Sequence, residues 1–369
     1  MLDTCDVLIV GGGPGGSSCA WKLRQAGADV MVMDKAVFPR DKVCAGWITP
    51  QVVADLQLDL DEYSRRRILQ PITGFRAGVI GGFRDVTTTY DRTVSYGIRR
   101  CEFDDYLLTR SRARVRLGEP VSKIQREGTG WVVNDRIRAA MLVGAGGHFC
   151  PVARALNPQE AGGPLVAAQE AEFPLEPADA FSVDSETPEL YFSADLQGYG
   201  WCFRKGNYLN VGLGLLDRHQ CSSAAREFVS FLKALGRIPR NANWKWRGHA
   251  YLLAEPHARR VSSDGVLLLG DAAGLAYPQS GEGIRPAIES GLMAASTIAN
   301  AAGAYSRDRL EPYEKSLSAR FGLSTRTRPM MLPAPVVSKL AVGLMRVPFF
   351  VRHVVLDRWF LRSAEPALL

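Results

Sequence analysis

The cluster Gly11-Gly12-Gly13-Pro14-Gly15-Gly16 narrows the fold of this chain more than any other feature, because of what flanks it. Before it runs Val7-Leu8-Ile9-Val10, a continuous apolar stretch of the kind found in a strand buried on both faces of a parallel sheet. After it, Ser17 to Gln25 carries Ala20 and Leu23 at helical spacing, Gly27 stops the helix, and Val30-Met31-Val32-Met33 forms a second apolar run. The pattern predicts a complete βαβ unit. Gly11, Gly13 and Gly16 within it fit G-x-G-x-x-G: the first permits the tight turn, the second lets a pyrophosphate approach the backbone, and the third lets the helix lie close on the strand. Free amides and the helix dipole then face the anion. An ordinary glycine-rich turn is the competing account. Asp34 tells against it, since it ends the second strand where an acid accepts from an adenosine ribose. The expected nucleotide contacts are Gly11, Gly13, Pro14, Gly15, Gly16, Asp34 and Lys35.

A second glycine-rich segment specifies the dinucleotide. Leu268-Leu269-Gly270-Asp271 ends another apolar run, and Gly281-Glu282-Gly283-Ile284 enters a long helix of small residues read as Gly283 to Ala302. An aspartate after a tight glycine can accept from ribityl hydroxyls, and amides at a helix start can polarise the pyrimidine end of an isoalloxazine. A plain capped helix explains Asp271 but not glycines on both sides of Glu282. FAD is the cofactor these segments imply, with Gly270, Asp271, Gly281, Gly283 and Ile284 as its second set of contacts.

Composition removes several alternatives. At 369 residues the chain suits two interlocked domains or one large α/β unit, and 46% hydrophobic with 22% charged residues argues against disorder. The net charge of +7 is scattered, and Arg65-Arg66-Arg67 lacks interleaved aromatics, so no nucleic-acid partner is expected. Seven cysteines, an odd number with no Cys-x-x-Cys pair, predict neither a disulfide framework nor a metal site and fit a reducing cytoplasm. The apolar run at Val7 follows the first residues directly, so no signal segment is expected. No apolar run reaches the roughly 20 residues that span a bilayer.

Along the chain, strands are read at Val86–Tyr90, Val115–Ile124, Trp131–Val133, Met141–Val143 and Val266–Leu269, and a helix at Phe103–Arg110. Residues 158–256 alternate apolar and polar positions, with hairpin-like strands at Leu190–Ala194, Gly200–Arg204 and Tyr208–Leu215. Trp244-Lys245-Trp246 reads as a strand with two inward tryptophans. The C-terminal stretches Val336–Met345 and Phe349–Leu361 are helical in pattern and carry Lys339, Arg346, Arg352, Arg358 and Arg362. They suit core packing, a lid over a long apolar substrate, or peripheral contact with an anionic membrane surface. The fold class expected is α/β. A Rossmann-like FAD-binding domain with a parallel sheet (1–48, 96–157, 262–310) is interleaved with an antiparallel-sheet substrate domain (49–95, 158–261), and a helical segment (311–369) follows.

These motifs resemble the FAD-dependent oxidoreductases built like para-hydroxybenzoate hydroxylase, and within them the geranylgeranyl reductase family, over most of residues 1–310. Besides the glycine segments, the resemblance rests on Arg40-Asp41-Lys42-Val43-Cys44-Ala45-Gly46, Arg100-Cys101-Glu102-Phe103-Asp104, and Tyr199-Gly200-Trp201-Cys202-Phe203-Arg204. The last is similar to the family's Tyr-x-Trp-x-Phe-Pro, which lines a substrate cavity, and occupies the position of Trp-x-Trp-x-Ile-Pro in flavin halogenases. The chain departs from the family in Ala45 and Trp47 after the cysteine, in Arg204 for the proline, and in Gly146 for an aspartate linked to nicotinamide contacts. The resemblance implies that Lys42 and Arg100 contact the cofactor and that Cys44, Tyr199 and Trp201 are catalytic. Cys44 then sits beside the isoalloxazine as proton donor, its thiolate stabilised by Lys42, or else is a small buried hydrophobe. Arg99 is read as solvated, and the histidines at 148, 219, 249, 257 and 353 as surface or cap residues.

The activity implied is reduction of C=C bonds in an apolar isoprenoid-like or polyketide-like substrate by hydride from reduced flavin. A single-component monooxygenase or halogenase-like enzyme acting on an aromatic or polyketide substrate is the alternative, and an electron-carrying flavoprotein a third. The transient reductant is NAD(P)H or an electron donor protein, since no second G-x-G-x-x-G module is visible.

Overall fold

The computed structural model describes residues 2–82, 84–159, 165–176, 182–217, 219–239, 244–254, 259–322, 340 and 342–368. The chain forms two units. The first comprises Met1–Asp41, Cys101–Pro164 and Tyr251–Thr327, and the second Lys42–Arg100, Leu165–Ala250 and Arg328–Leu369.

In the first unit, strand Asp3–Val10 runs parallel to both Val30–Asp34 and Ile137–Gly144, and Val266–Leu268 adds to the far side of the latter. Val7, Leu8 and Ile9 are fully buried, as a strand sandwiched on both faces requires. Burying each such side chain is worth about 1.5–3 kcal/mol, so this strand anchors the sheet. Helix Pro14–Gln25, the loop helix, leaves the glycine cluster, and helix Ile284–Ala301, the return helix, lies against it. Glycines set that closeness: a Cβ on Gly291 would lie 2.3 Å from the Gly15 carbonyl oxygen. The strand expected over Val115–Ile124 is instead two, Arg114–Leu117 and Ile124–Glu127, because Gly118 (φ +76°) and Pro120 break the run. Helix Arg307–Phe321 crosses the expected boundary at residue 310.

The second unit centres on a seven-stranded sheet among the described residues. Leu165–Pro174, the carboxylate strand, pairs with Tyr208–Leu215, the asparagine strand, which pairs with Gly198–Lys205, the tryptophan strand. Those pairings are antiparallel, whereas Glu189–Phe192 runs parallel to Gly74–Val79, joining residues 49–95 to the middle of the chain. Period-two alternation turns Tyr199, Trp201 and Phe203 to one face of the tryptophan strand, in a cluster with Trp47, Phe75, Phe192 and Phe360. Cys202 faces the opposite side, where helix Cys221–Ala234 buries Ala225, Phe228 and Leu232. That helix was not expected among strands, although its buried residues recur at helical spacing. Trp244 and Trp246 are half-buried, but the segment has no regular secondary structure and leads into strand Arg247–Leu252. Most of Val336–Met345 lies outside the described residues. Phe349–Leu361 is helical as expected but winds as a π-helix over Val351–Phe360, closing with Leu361 N–H donating to the Leu356 carbonyl at 2.8 Å.

Candidate functional site

The first unit assembles a cradle for an anionic, two-ended ligand. Gly11 has φ +118°, and a Cβ there would lie 2.3 Å from the Ala145 carbonyl oxygen. A Cβ on Gly16 would lie 1.9 Å from the Gly11 carbonyl oxygen, so neither position admits a side chain. Gly13 caps the loop helix in an extended conformation and Pro14 opens it, leaving first-turn amides without intrahelical acceptors. Asp34 stands at the strand end, accepting from Gly12 N at 2.8 Å and Ala36 N at 2.9 Å, while Lys35 is exposed. Arg40, outside the expected contacts, completes the cradle. Its Nη2 pairs with buried Asp104 at 3.1 Å and stands 3.4 Å from where a Gly13 Cβ would be. Its Nη1 is buried with no hydrogen-bond partner among the described residues. A cationic donor at a glycine-lined helix start suits a pyrophosphate.

The second glycine segment folds beside the first. Gly270 has φ +51° and donates from its amide to Ser290 Oγ of the return helix at 3.0 Å. Gly283 brings its Cα so near Asp271 that a Cβ would lie 3.2 Å from Asp271 Oδ1, and Gly281 (φ +62°) leaves room for Tyr251 Oη. Ile284 starts the return helix and is buried. A Cβ on Gly15 would lie 2.8 Å from the Ala287 carbonyl oxygen, so the two segments, some 260 residues apart in sequence, meet within one unit. Not every amide at the start of the return helix is open: Glu282 accepts from Arg285 N at 2.7 Å, and burial pushes its carboxyl up to about 7.

In the second unit, Cys44 is half-buried on the loop before Trp47, and both its main-chain groups are held. Its N–H donates to Glu170 Oε2, and its carbonyl accepts from Asn210 Nδ2 at 3.3 Å. Asn210 Nδ2 also reaches Glu170 Oε1 at 3.0 Å and Glu172 Oε2 at 3.1 Å, and Asn210 Oδ1 accepts from Trp201 Nε1 at 2.6 Å. Glu172 accepts from Lys205 Nζ at 2.9 Å and from Arg99 Nε at 2.9 Å. Although burial opposes its charge, Lys205, Arg99 and Asn210 hold the Glu172 carboxyl down at about 2, whereas burial raises Glu170 to about 7. Trp201 fits because its cross-strand partner is Gly212, where a Cβ would lie 2.1 Å from the indole. Trp47 stacks near Phe203 (5.0 Å) and Phe360 (5.7 Å), and its buried Nε1 has no partner among the described residues.

The structure therefore brings Cys44, Trp201 and the half-buried Tyr199 into one unit, with Trp201 linked to Cys44 through Asn210. Lys42 is engaged by His249, Nζ to Nε2 2.5 Å, so His249 is not a surface residue. Arg100 is buried, and Arg99, read as solvated, instead pairs with Glu172 and lies 3.7 Å over the Tyr208 ring. His257 lies outside the described residues. Glu170, Glu172, Lys205 and Asn210 were not expected. Their one sequence signal is polarity at inward positions: Glu170 and Glu172 two apart, and Lys205 continuing the 199, 201, 203 alternation. Among the described residues no helix is long and apolar enough to cross a membrane.

Residues 9–59 match the family model described as an NAD(P)-binding Rossmann-like domain. The chain is 30% identical to menaquinone reductase of Mycobacterium tuberculosis over 346 residues, covering 87% of this chain and 81% of the relative. It is 26% identical to digeranylgeranylglycerophospholipid reductase of Methanocaldococcus jannaschii over 330 residues, covering 85% and 82%. Among solved structures, a geranylgeranyl bacteriochlorophyll reductase-like protein from Thermoplasma acidophilum superposes with a TM-score of 0.79 at 22% identity over 99% of each chain, a likeness of fold.

Proposed function

The chain belongs to the geranylgeranyl reductase-like family of FAD-dependent oxidoreductases, and from that premise we propose that it saturates C=C bonds in an isoprenoid-like chain attached to an oxygen-bearing head. The observation that carries the cofactor half is the meeting of the two glycine segments through Gly15 and Ala287. The glycine cluster and Arg40 hold the pyrophosphate, Asp34 the adenosine ribose, and Asp271 with Gly270 and Gly283 the flavin half. Reduced FAD, when bound, supplies hydride.

The remaining work falls to the second unit. Tyr199, Trp201, Phe203, Trp47 and Phe360 offer an apolar aromatic surface that holds the alkene and excludes water. Cys44 delivers the proton that completes saturation. The Trp47 indole N–H, buried and without a partner among the described residues, supports an acceptor oxygen on the substrate, since a buried donor left unpaired costs about 1–3 kcal/mol. NAD(P)H or a donor protein re-reduces the flavin. Peripheral membrane contact is supported by exposed Leu340, Val347 and Phe349 beside exposed Arg346 and Arg352.

The test is anaerobic reduction of the yellow holoenzyme, incubation with menaquinone bearing an unsaturated tail, and mass spectrometry. A product whose tail is heavier by two hydrogens, and stays so after air has reoxidised any quinol to quinone, is expected. A product that gains oxygen on admission of air, with the tail unsaturated, overturns the reading in favour of a monooxygenase.

A further inference from the structure

Cys44 is held in an unusual way for a loop residue: its amide and its carbonyl are both bound by side chains from strands remote in sequence. The orientation of Asn210 is forced. An indole nitrogen only donates, so Asn210 Oδ1 faces Trp201 Nε1, and Nδ2 faces Cys44 O and the two carboxylates. The register supplies the rest, since Glu172 pairs directly with Asn210 and Glu170 with Gly212 on the neighbouring strand. A glycine at 212 leaves the space over which Trp201 lies, so one opening admits the indole on which Asn210 depends.

We propose that Glu170 and Asn210 are positioning residues that clamp the Cys44 peptide, and that the protonation state of Glu170 sets how firmly Cys44 is presented for proton delivery. The inference rests on the role proposed for Cys44. As a carboxylate, Glu170 accepts the Cys44 N–H strongly, and on gaining a proton it becomes a poorer acceptor and loosens the loop. Glu172 does not share this behaviour, because Lys205 and Arg99 pin it as an anion. The charged and titratable surroundings of Glu170 are defined on each side. Glu172 lies on its own strand, Lys205 on the tryptophan strand and Cys44 on the loop. Strand Arg247–Leu252, which borders the carboxylate strand on its other edge, carries Arg247 and His249, the latter holding Lys42. The helix Cys221–Ala234 meets the carboxylate strand through Ser222 on Gln169, the neighbouring position. With Glu170 raised to about 7, the clamp changes strength across neutral pH.

The test is timed iodoacetamide labelling of the FAD-loaded enzyme from about pH 6 to about pH 8, the span over which a group titrating near neutrality changes charge, read by peptide mass spectrometry. Cys101, the other half-buried cysteine, serves as the internal reference. In the wild type the Cys44 to Cys101 labelling ratio should show an inflection near neutrality, which Glu170→Gln abolishes and Glu170→Asp, which keeps a titrating carboxyl, retains. In turnover, Glu170→Gln should lower kcat roughly tenfold or more with KM within about twofold. A Glu170→Gln labelling profile that superimposes on the wild type overturns the proposal. Full turnover by Cys44→Ala, which leaves no exchangeable proton on that side chain, would instead overturn the proton-donor role while leaving the labelling result to stand on its own.

Discussion

Lys205→Met tests whether the charge network of the second unit is as tightly coupled as its geometry implies. The Lys205 side chain is 1% exposed, and its Nζ lies 2.9 Å from Glu172 Oε2 and 3.0 Å from the Ile98 carbonyl oxygen. Methionine refills most of the stem volume, so the loss is mainly one of charge and hydrogen bonds. Removing one partner of a buried pair costs about 3–5 kcal/mol, because the other charge stays behind uncompensated. Arg99 still faces Glu172 Oε1 from a position 18% exposed, which places the cost near the lower end, about 3 kcal/mol. Glu172→Gln in the same chain removes the stranded charge, so the double variant should recover at least about 1.5 kcal/mol of the summed single losses. The acid side gives an independent sign. Glu172 is depressed to about 2, so its stabilisation is present above its ordinary value of 4.5 and is lost as pH falls toward 2. That loss should be blunted in Lys205→Met. The assay is urea denaturation, with hydrogen exchange over Leu165–Pro174 and Gly198–Lys205 to confirm that the second unit responds. A cost under about 1 kcal/mol, or a double variant that shows simple additivity, would refute the reasoning.

Gly16→Ala places a methyl 1.9 Å from the Gly11 carbonyl oxygen and should cost about 1–3 kcal/mol and most of the bound flavin, whereas Gly27→Ala, where nothing lies within 4 Å, should keep its flavin despite the strain of φ +84°. Absorbance of the purified variants and thermal midpoints report both. Glu282 is raised to about 7, so its contribution to stability is complete below 4.5 and declines as pH rises through 7. Glu282→Gln should flatten that decline in a series of thermal midpoints. Phe360→Ala, which removes a ring lying 5.3 Å from Tyr199 and 5.7 Å from Trp47, should cost about 3–5 kcal/mol and raise KM for an apolar substrate, read by urea titration and initial rates. Vesicle co-sedimentation should retain the protein on anionic but not neutral lipid, with Phe349→Ser weakening it.

What the sequence discloses about this molecule divides by the range of the interaction. Gly11 and Gly16 are legible because a left-handed φ and a carbonyl a few residues away demand glycine whatever the rest of the chain does. The parallel strands are legible too, since burial on both faces writes an unbroken apolar run. The π-helix is hidden because an amphipathic pattern constrains periodicity only loosely at that length, and the two strands at 114–117 and 124–127 merge in the sequence because apolar residues (Val115, Leu117, Val121, Ile124) recur on both sides of the break at Gly118 and Pro120. Glu170, Glu172, Lys205 and Asn210 are opaque for a different reason. Their meaning arises from register, from Glu172 opposite Asn210 and Trp201 opposite Gly212, and register is fixed only when the strands pair.

Stability alone gives no account of that network. Two carboxylates, a lysine and an arginine held largely out of water pay desolvation that apolar side chains of similar volume would not, so a core built only to be stable would not contain them. What they obtain is orientation: Asn210 has one permitted amide geometry, and the Cys44 peptide has donors and acceptors fixed on both ends. Proton delivery depends on placing a small group within a fraction of an ångström, and a loop cannot do that unaided. On the role proposed for Cys44, the position at which the polar pattern breaks the rule for buried strands is where the second unit would hold that residue for chemistry.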